Sequence, residues 1–409
     1  MTDADPQVAG HARTIAILTA AARLAGFART LVFAATVGAT ALGSVYQSTN
    51  TVPNVVYEIA AGGILAAATV PLLAGRAAAG DRESASRIAS GLVGWVLLVL
   101  APLSLLVAIL ARPVASALLD EETLGERAVD QGATMLLVFA PQVLLYGLGI
   151  VLSGVLQAHR RFAAAAAAPL ISSLVVIATY AAYGLLATDP ADPWAGMLHL
   201  LAWGTTAGVA AMLLTLLPSL RGLGVRIRPT LRFPPGVAAR AGRLAGAGLL
   251  ALLAQQVCVL AVVWLSNHRG GAGVLITYQY AQALYLLPYA VLAVPLATAA
   301  FPVIAAAGEL GDGATGDGAA VVSRTLRGIA VVAVAGATAL VTAAPQLGQV
   351  FAALDRSSTS GAAASATAVG DLPVALTALT PGLVGFALSA LLVRALYARG
   401  PARRAALAV

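Results

Sequence analysis

Arg23 and Arg29 stand in ARLAGFARTLVFAATVG, residues 22–38, a stretch that is otherwise almost wholly apolar. A guanidinium is charged at every physiological pH and offers five N–H donors in a planar fork. On the more forgiving insertion scale, one such group at the centre of a membrane helix costs about 2.5–3.5 kcal/mol. Six residues of helix turn through about 600°, so the two point roughly 120° apart and could line one broad cavity. The other polar anomaly follows at once. YQSTNTVPNVVYEIAAGG, residues 46–63, gathers Gln47, Asn50, Asn54, Tyr57 and Glu58 into one segment. Pro53 frees a backbone carbonyl there, and Gly62 and Gly63 permit a break or a close approach. Glu58 is the only acidic residue deep in an apolar segment, so two arginines face one carboxylate. The surplus cation calls for water or an anion in low dielectric. The chemistry is therefore anion binding in a polar cavity. The alternatives are that each arginine pairs with a carboxylate or helix-end carbonyls to hold a bundle together, and that the second stretch is an ordinary polar helix seam. Further along, ITYQYAQALYLLPYAV, residues 276–291, contains Gln282 and is similarly polar and aromatic but carries no charge.

The elements that position these residues must be membrane helices. The chain is 60% hydrophobic and only 10% charged, with a mean hydropathy of +0.89, where soluble domains carry about 25% charged residues. Apolar runs of bilayer length recur throughout. We expect an all-α polytopic bundle with about ten spans, near 14–39, 41–75, 88–119, 128–157, 162–187, 193–218, 241–266, 272–306, 325–353 and 372–397. The second and eighth are long for a bilayer, which implies tilt or kinks. The N-terminal MTDADPQVAGHAR lacks the basic region of a cleaved signal peptide, so the first span is expected to be retained.

All 24 basic residues are arginine. Without lysine there is no Walker A motif and no Schiff base. The lone Cys258 excludes an intrachain disulfide, and the four histidines have no ligand spacing, so neither metal nor cofactor is expected. No catalytic pair appears, so the chain reads as a non-enzyme. Cytoplasmic loops retain arginine. With the N-terminus inside, the outer loops hold only Arg112, Arg127, Arg269 and Arg356, together with the acidic run DEETLGE at 120–126. The net charge of +7 is thus explained by orientation and anionic headgroups, with membrane lipids and not nucleic acid as partners.

Two weak internal matches recur in order. GGILAAATVPLLA (62–74) lies over AVPLATAAFPVIA (293–305), and APQVLLYGLGIVLSGVLQA (140–158) over TPGLVGFALSALLVRALYA (380–398). Both shifts move the chain by an even number of spans, which is a parallel repeat of two lobes. The expected organisation is a cytoplasmic N-terminus at 1–13, a six-helix lobe at 14–220, a basic linker at 221–240 and a four-helix lobe at 241–409. The second lobe then has two spans fewer than the first, so we expect a truncated chain or helices supplied elsewhere.

RLAGFAR, TVPNVVYE with AAGGILAAATVPLLAG, SGVLQAHRRF, and YAQALYLLPYAVLAVPLATAAFP come in this order along the chain. In them it resembles the MurJ/MviN flippases of the multidrug/oligosaccharidyl-lipid/polysaccharide exporter superfamily, in an actinobacterial form. The resemblance implies a fourteen-helix fold of which ten are present. It also implies transport of lipid II, the undecaprenyl-pyrophosphate-linked peptidoglycan precursor, across the cytoplasmic membrane by alternating access for cell-wall biosynthesis. Arg23 and Arg29 match the helix-1 arginines of the family's central anion-binding cavity, and Asn54 the asparagine of its proline–asparagine pair. Pyrophosphate would lie on the two arginines, sugar or peptide on Gln47, Asn50 and Asn54, and Glu58 would balance charge in the empty cavity. The chain departs from the family at Tyr57 and Ala283, where arginines are usual, at Ser44, where an acid is usual, and at Gln282, where aspartate is common. The driving force implied is a coupling ion or the membrane potential. Two other readings remain. One is export of a different polyprenyl-pyrophosphate glycan or a small solute, and the other is a non-transporting scaffold for cell-wall synthesis proteins.

Overall fold

The computed structural model describes residues 6–62, 69–70, 72–76, 79–187, 195–232, 249–288, 315–356 and 363–389. Among them the chain is helical almost throughout, with no strand. It forms two compact units, Met1–Ala272 and Gly273–Val409.

The first unit contains α1 (Pro6–Thr36), α2 (Ala41–Tyr57), α3 (Arg82–Ile109), α4 (Ala111–Leu118), α5 (Glu121–Leu124), α6 (Ala128–Phe139), α7 (Pro141–Ala158), α8 (Phe162–Leu186), α9 (Ala195–Leu220) and α10 (Leu249–Leu265). Wide π turns follow α2 at Glu58–Gly62 and α10 at Ser266–Gly270. The second contains α11 (Val274–Pro288), α12 (Thr315–Leu354), α13 (Ala363–Gly370), α14 (Leu372–Leu379) and α15 (Pro381–Ser389).

This is a multi-pass membrane protein. Six helical stretches are long and apolar enough to span a bilayer: Ala16–Thr36, Arg82–Ile109, Ala128–Ala158, Phe162–Leu186, Met197–Leu220 and Leu326–Leu354. The pair α14–α15, bent by 40°, makes a seventh. The spans expected at 41–75, 241–266 and 272–306 are helical over α2, α10 and α11, each of which meets a π turn or the edge of the described residues. Residues 88–119, expected as one span, break at Leu110 into α3 and α4, and 128–157 bends at Ala140, ahead of Pro141. Proline at a first helical position restarts a helix readily. The unit boundary lies beyond the expected linker at 221–240, because α10 packs on the first π turn and on α4.

Small residues let the helices of the first unit approach. α8 lies along α1 and α9, α7 along α3 and α9, and α2 along α6 and α7. A Cβ on Gly204 would run into Thr179, and one on Gly147 into Leu100. Association in lipid rests on such packing and on interhelical hydrogen bonds. One hydrogen-bonded cluster lies deep between α1, α2, α6, α8 and α9. The Tyr46 hydroxyl is 2.8 Å from that of Tyr180 and 2.7 Å from Oγ1 of Thr205. Phe33 and Phe139 close around the Tyr46 ring at 5.9 Å. A second tie is the fully buried Asn267, whose Nδ2 donates to Ser48 Oγ and to the Leu118 carbonyl, both at 2.8 Å. The Asn267 backbone carbonyl accepts from Thr123. In the second unit, Tyr280 donates to Asp355 at 2.7 Å, both side chains being buried.

Candidate functional site

α2 sorts its polar residues by face. Ser44, Ser48 and Thr49 are buried, and the Ser48 and Thr49 hydroxyls turn back on carbonyls four residues earlier. Gln47, Asn50, Thr51, Asn54 and Glu58 are half-buried and recur at helical spacing, so they form one stripe. Thr51 donates to the Gln47 carbonyl at 2.8 Å and Asn54 Nδ2 to the Asn50 carbonyl at 2.9 Å. These bonds hold the Thr51 and Asn54 side chains close to the helix. Asn50 Oδ1 is enclosed and has no hydrogen-bond partner. Pro53 interrupts the ladder inside this helix, and the π turn widens it from Glu58 onward. π turns recur at functional sites because the extra residue re-aims neighbouring side chains.

Arg29 is exposed on α1, one turn before Phe33, whose ring packs on Tyr46 and Tyr180. Tyr146 stacks on Tyr57, with ring centroids 5.2 Å apart. Arg23 is also exposed, six residues away on the same helix. Among the described residues neither arginine has a carboxylate within ion-pair distance, and Glu58 pairs with no arginine. The Tyr46 and Tyr180 hydroxyls are buried and spent on each other and on Thr205, so the unpaired Arg29 guanidinium is the group that can meet an anion by charge-assisted hydrogen bonds.

Tyr57 is buried against Tyr146 instead of standing in the stripe. Gln282 lies in the second unit on α11 and is exposed, and Ala283 beside it is half-buried. The residues that the sequence did not single out are Tyr146, Tyr180, Thr205, Gln142 and Asn267. Gln142 is fully buried, donates to Thr206 at 2.9 Å, and keeps its own carbonyl oxygen unpartnered. A lone amide in an apolar run was the signal available for Gln142, whereas Asn267 stands in the polar turn SNHRGG and carried none. Among the described residues no group of histidine, cysteine, aspartate and glutamate is placed to hold a metal ion.

Residues 33–408 match the model of a protein family described as lipid II flippase MurJ. A probable lipid II flippase MurJ of Rhizobium tropici is 28% identical over 304 residues, which cover 71% of this chain and 54% of that protein. Its counterpart from Rhizobium meliloti (strain 1021) is 25% identical over 303 residues. The chain spans about half the length of these curated relatives. Among solved structures, lipid II flippase MurJ in an inward closed conformation superposes with a TM-score of 0.74 at 17% identity, covering 96% of this chain and 77% of that one. An inward-facing multidrug resistance MATE family transporter of the MOP superfamily gives 0.72 at 16%, covering 94% and 83%. The fold is that of these transporters.

Proposed function

We propose that this chain, which belongs to the lipid II flippase MurJ family, carries a lipid-linked peptidoglycan precursor across the cytoplasmic membrane by alternating access. The observation that carries the reading is Arg29. It is a cation on a membrane helix with no carboxylate partner among the described residues, one turn before the Phe33 that packs on Tyr46 and Tyr180. In this reading Arg29 grips a pyrophosphate oxygen, with Arg23 as a second prong, and Tyr146 shapes the wall. The stripe Gln47, Asn50, Asn54 and Glu58 meets the polar headgroup. Inward- and outward-facing forms of MATE transporters with the same fold support a two-state cycle. The cycle would draw on a coupling ion or the membrane potential, since one elementary charge across 100 mV is worth about 2.3 kcal/mol. The N-terminus lies inside, on the side that keeps the arginine-rich loops.

A second reading is a membrane scaffold for cell-wall synthesis proteins. Tyr57 and Ala283 favour it, since they replace two arginines of the family pattern and Tyr57 is packed against Tyr146.

Binding of lipid II to the purified protein, titrated by native mass spectrometry, separates the two. Arg29→Ala should weaken binding by about 1.5–3 kcal/mol, the range for a hydrogen bond to a charged group, or roughly 10- to 150-fold. Arg29→Lys should lose less, because it keeps the charge but not the fork. Equal affinity in all three proteins would contradict the transport reading.

A further inference from the structure

A second basic site lies at the N-terminal end of α3, apart from Arg29. Residues 224–230 run alongside this helix and close a cleft of about 620 Å³. Arg82 and Arg87 line it from α3, and Arg226 and Arg228 from the facing segment. Glu83 is the one carboxylate in the lining, and it lies 3.6 Å from Arg87. Among the described residues Arg82, Arg226 and Arg228 have no ion-pair partner.

The cleft is built, not merely a run of charge. Arg82, Ser86 and Ser90 recur every four residues on one face of α3. The Arg226 N–H donates to Ser86 Oγ at 3.1 Å, and the Arg228 N–H to Ser90 Oγ at 2.9 Å. Thr230 adds its own N–H to the Ser90 carbonyl at 3.2 Å. Gly94 completes the seat, since a Cβ there would meet the Thr230 backbone. Because alternate N–H groups face α3, Val225 and Ile227 are half-buried while Arg226 and Arg228 are turned outward.

The depth of the cleft points to its ligand. The Trp95 indole N–H donates to the Leu231 carbonyl at 3.2 Å. Trp95 and Leu231 are exposed, and Leu98 and Val99 follow on the same helix. Tryptophan marks the boundary between headgroups and acyl chains. Arg87 lies eight residues before Trp95, about 12 Å along the helix axis. All four arginines therefore lie on the headgroup side of Trp95, with Arg228, seated at Ser90, nearest the phosphates and Arg82 farthest out.

We propose that this cleft binds the phosphate of an anionic membrane lipid, so that α3 and the segment after α9 are clamped by one headgroup at the membrane surface. Guanidinium forks suit phosphate oxygens bidentately. A zwitterionic headgroup brings a cation into the same cleft and is disfavoured there.

The test is lipid retention by the whole purified chain in native mass spectra, titrated with phosphatidylglycerol, phosphatidylcholine or inorganic phosphate. The wild type should retain phosphatidylglycerol over phosphatidylcholine. Arg82→Gln, Arg226→Gln and Arg228→Gln together should remove that preference, by about fivefold or more per charge near an anionic surface. The three Arg→Lys changes should keep most of it. Ser86→Ala with Ser90→Ala keeps every charge but frees the segment, and should also reduce the preference. An undiminished preference in the glutamine variant would overturn the proposal. So would inorganic phosphate at millimolar concentration displacing the lipid, because the site would then serve a free anion.

Discussion

Replacing Tyr46 with phenylalanine tests the scaffold beneath Arg29, and proton accounting sets the expected size. Thr205 spends its only hydroxyl proton on the Leu201 carbonyl, 2.7 Å away. Thr205 must therefore accept from Tyr46, and Tyr46 must accept from Tyr180. The chain runs Tyr180 to Tyr46 to Thr205 to the Leu201 carbonyl. Tyr46→Phe removes the first two of these three bonds and strands the Tyr180 donor, which is 4% exposed. Each bond is worth about 1 kcal/mol, or nearer 0.6 inside membranes, and a stranded buried donor adds about 1–3. The variant should lose roughly 2–5 kcal/mol of stability. Tyr180→Phe removes one bond and strands only an acceptor lone pair, so about 1 kcal/mol is expected. Thermal unfolding in one detergent, followed by near-UV circular dichroism, should rank wild type above Tyr180→Phe and Tyr180→Phe above Tyr46→Phe. A Tyr46→Phe protein as stable as Tyr180→Phe would refute the donor order.

Asn267→Ala should destabilise the first unit by about 1–3 kcal/mol, because it empties the donor between Ser48 and Leu118; an unchanged unfolding midpoint would show that the tie is dispensable. For orientation, the exposed Cys258 is first changed to serine. A cysteine at Glu122 should then label from outside intact cells and one at Gly224 should not, and outside labelling of Gly224→Cys would reverse the assignment. The Asp81 carboxyl caps α3 by accepting from the Ser84 N–H at 3.0 Å and lies 3.5 Å from Arg76. The Ser84 bond, more than Arg76, holds its pKa below the ordinary value. A lowered folded pKa contributes stability above the unfolded carboxylate's range, and that contribution is lost as pH falls through the folded value. Hydrogen-exchange protection of the first turn of α3 should therefore hold at about pH 5 and fall only below about pH 4. Asp81→Asn, which still caps, should lose that acid step.

Composition made the membrane bundle legible, because 60% hydrophobic residues leave a backbone no partner in lipid except its own helix. The two arginines and the polar stripe were legible for the complementary reason, that polar groups in such a segment are costly and need a partner. Helix breaks were harder to read. Leu110 is an apolar residue inside an apolar run, and only the three-dimensional turn distinguishes it, whereas Pro141 marks the bend at Ala140. Long-range partners were invisible in the sequence. Tyr46 meets Tyr180 and Thr205 across separations of 134 and 159 residues, and nothing local in either segment encodes that meeting. Tyr57 shows the limit of a face-by-face reading. It sits one residue before Glu58, beside the polar stripe, but its ring turns onto Tyr146. The basic segment after α9 read as orientation charge, and its hydrogen bonds to Ser86 and Ser90 give it a fixed course that charge counting does not show.

The central claim is that a lipid-linked anion crosses on Arg29. Its direct measurement is lipid II movement in proteoliposomes, read by a membrane-impermeant reagent that modifies only headgroups on the outer surface. Wild-type protein should make the inner-leaflet lipid II reactive well above protein-free vesicles, and Arg29→Ala, reconstituted at the same density, should lose most of that gain. Translocation by Arg29→Ala at the wild-type rate, or no gain by the wild type over empty vesicles, would contradict the account.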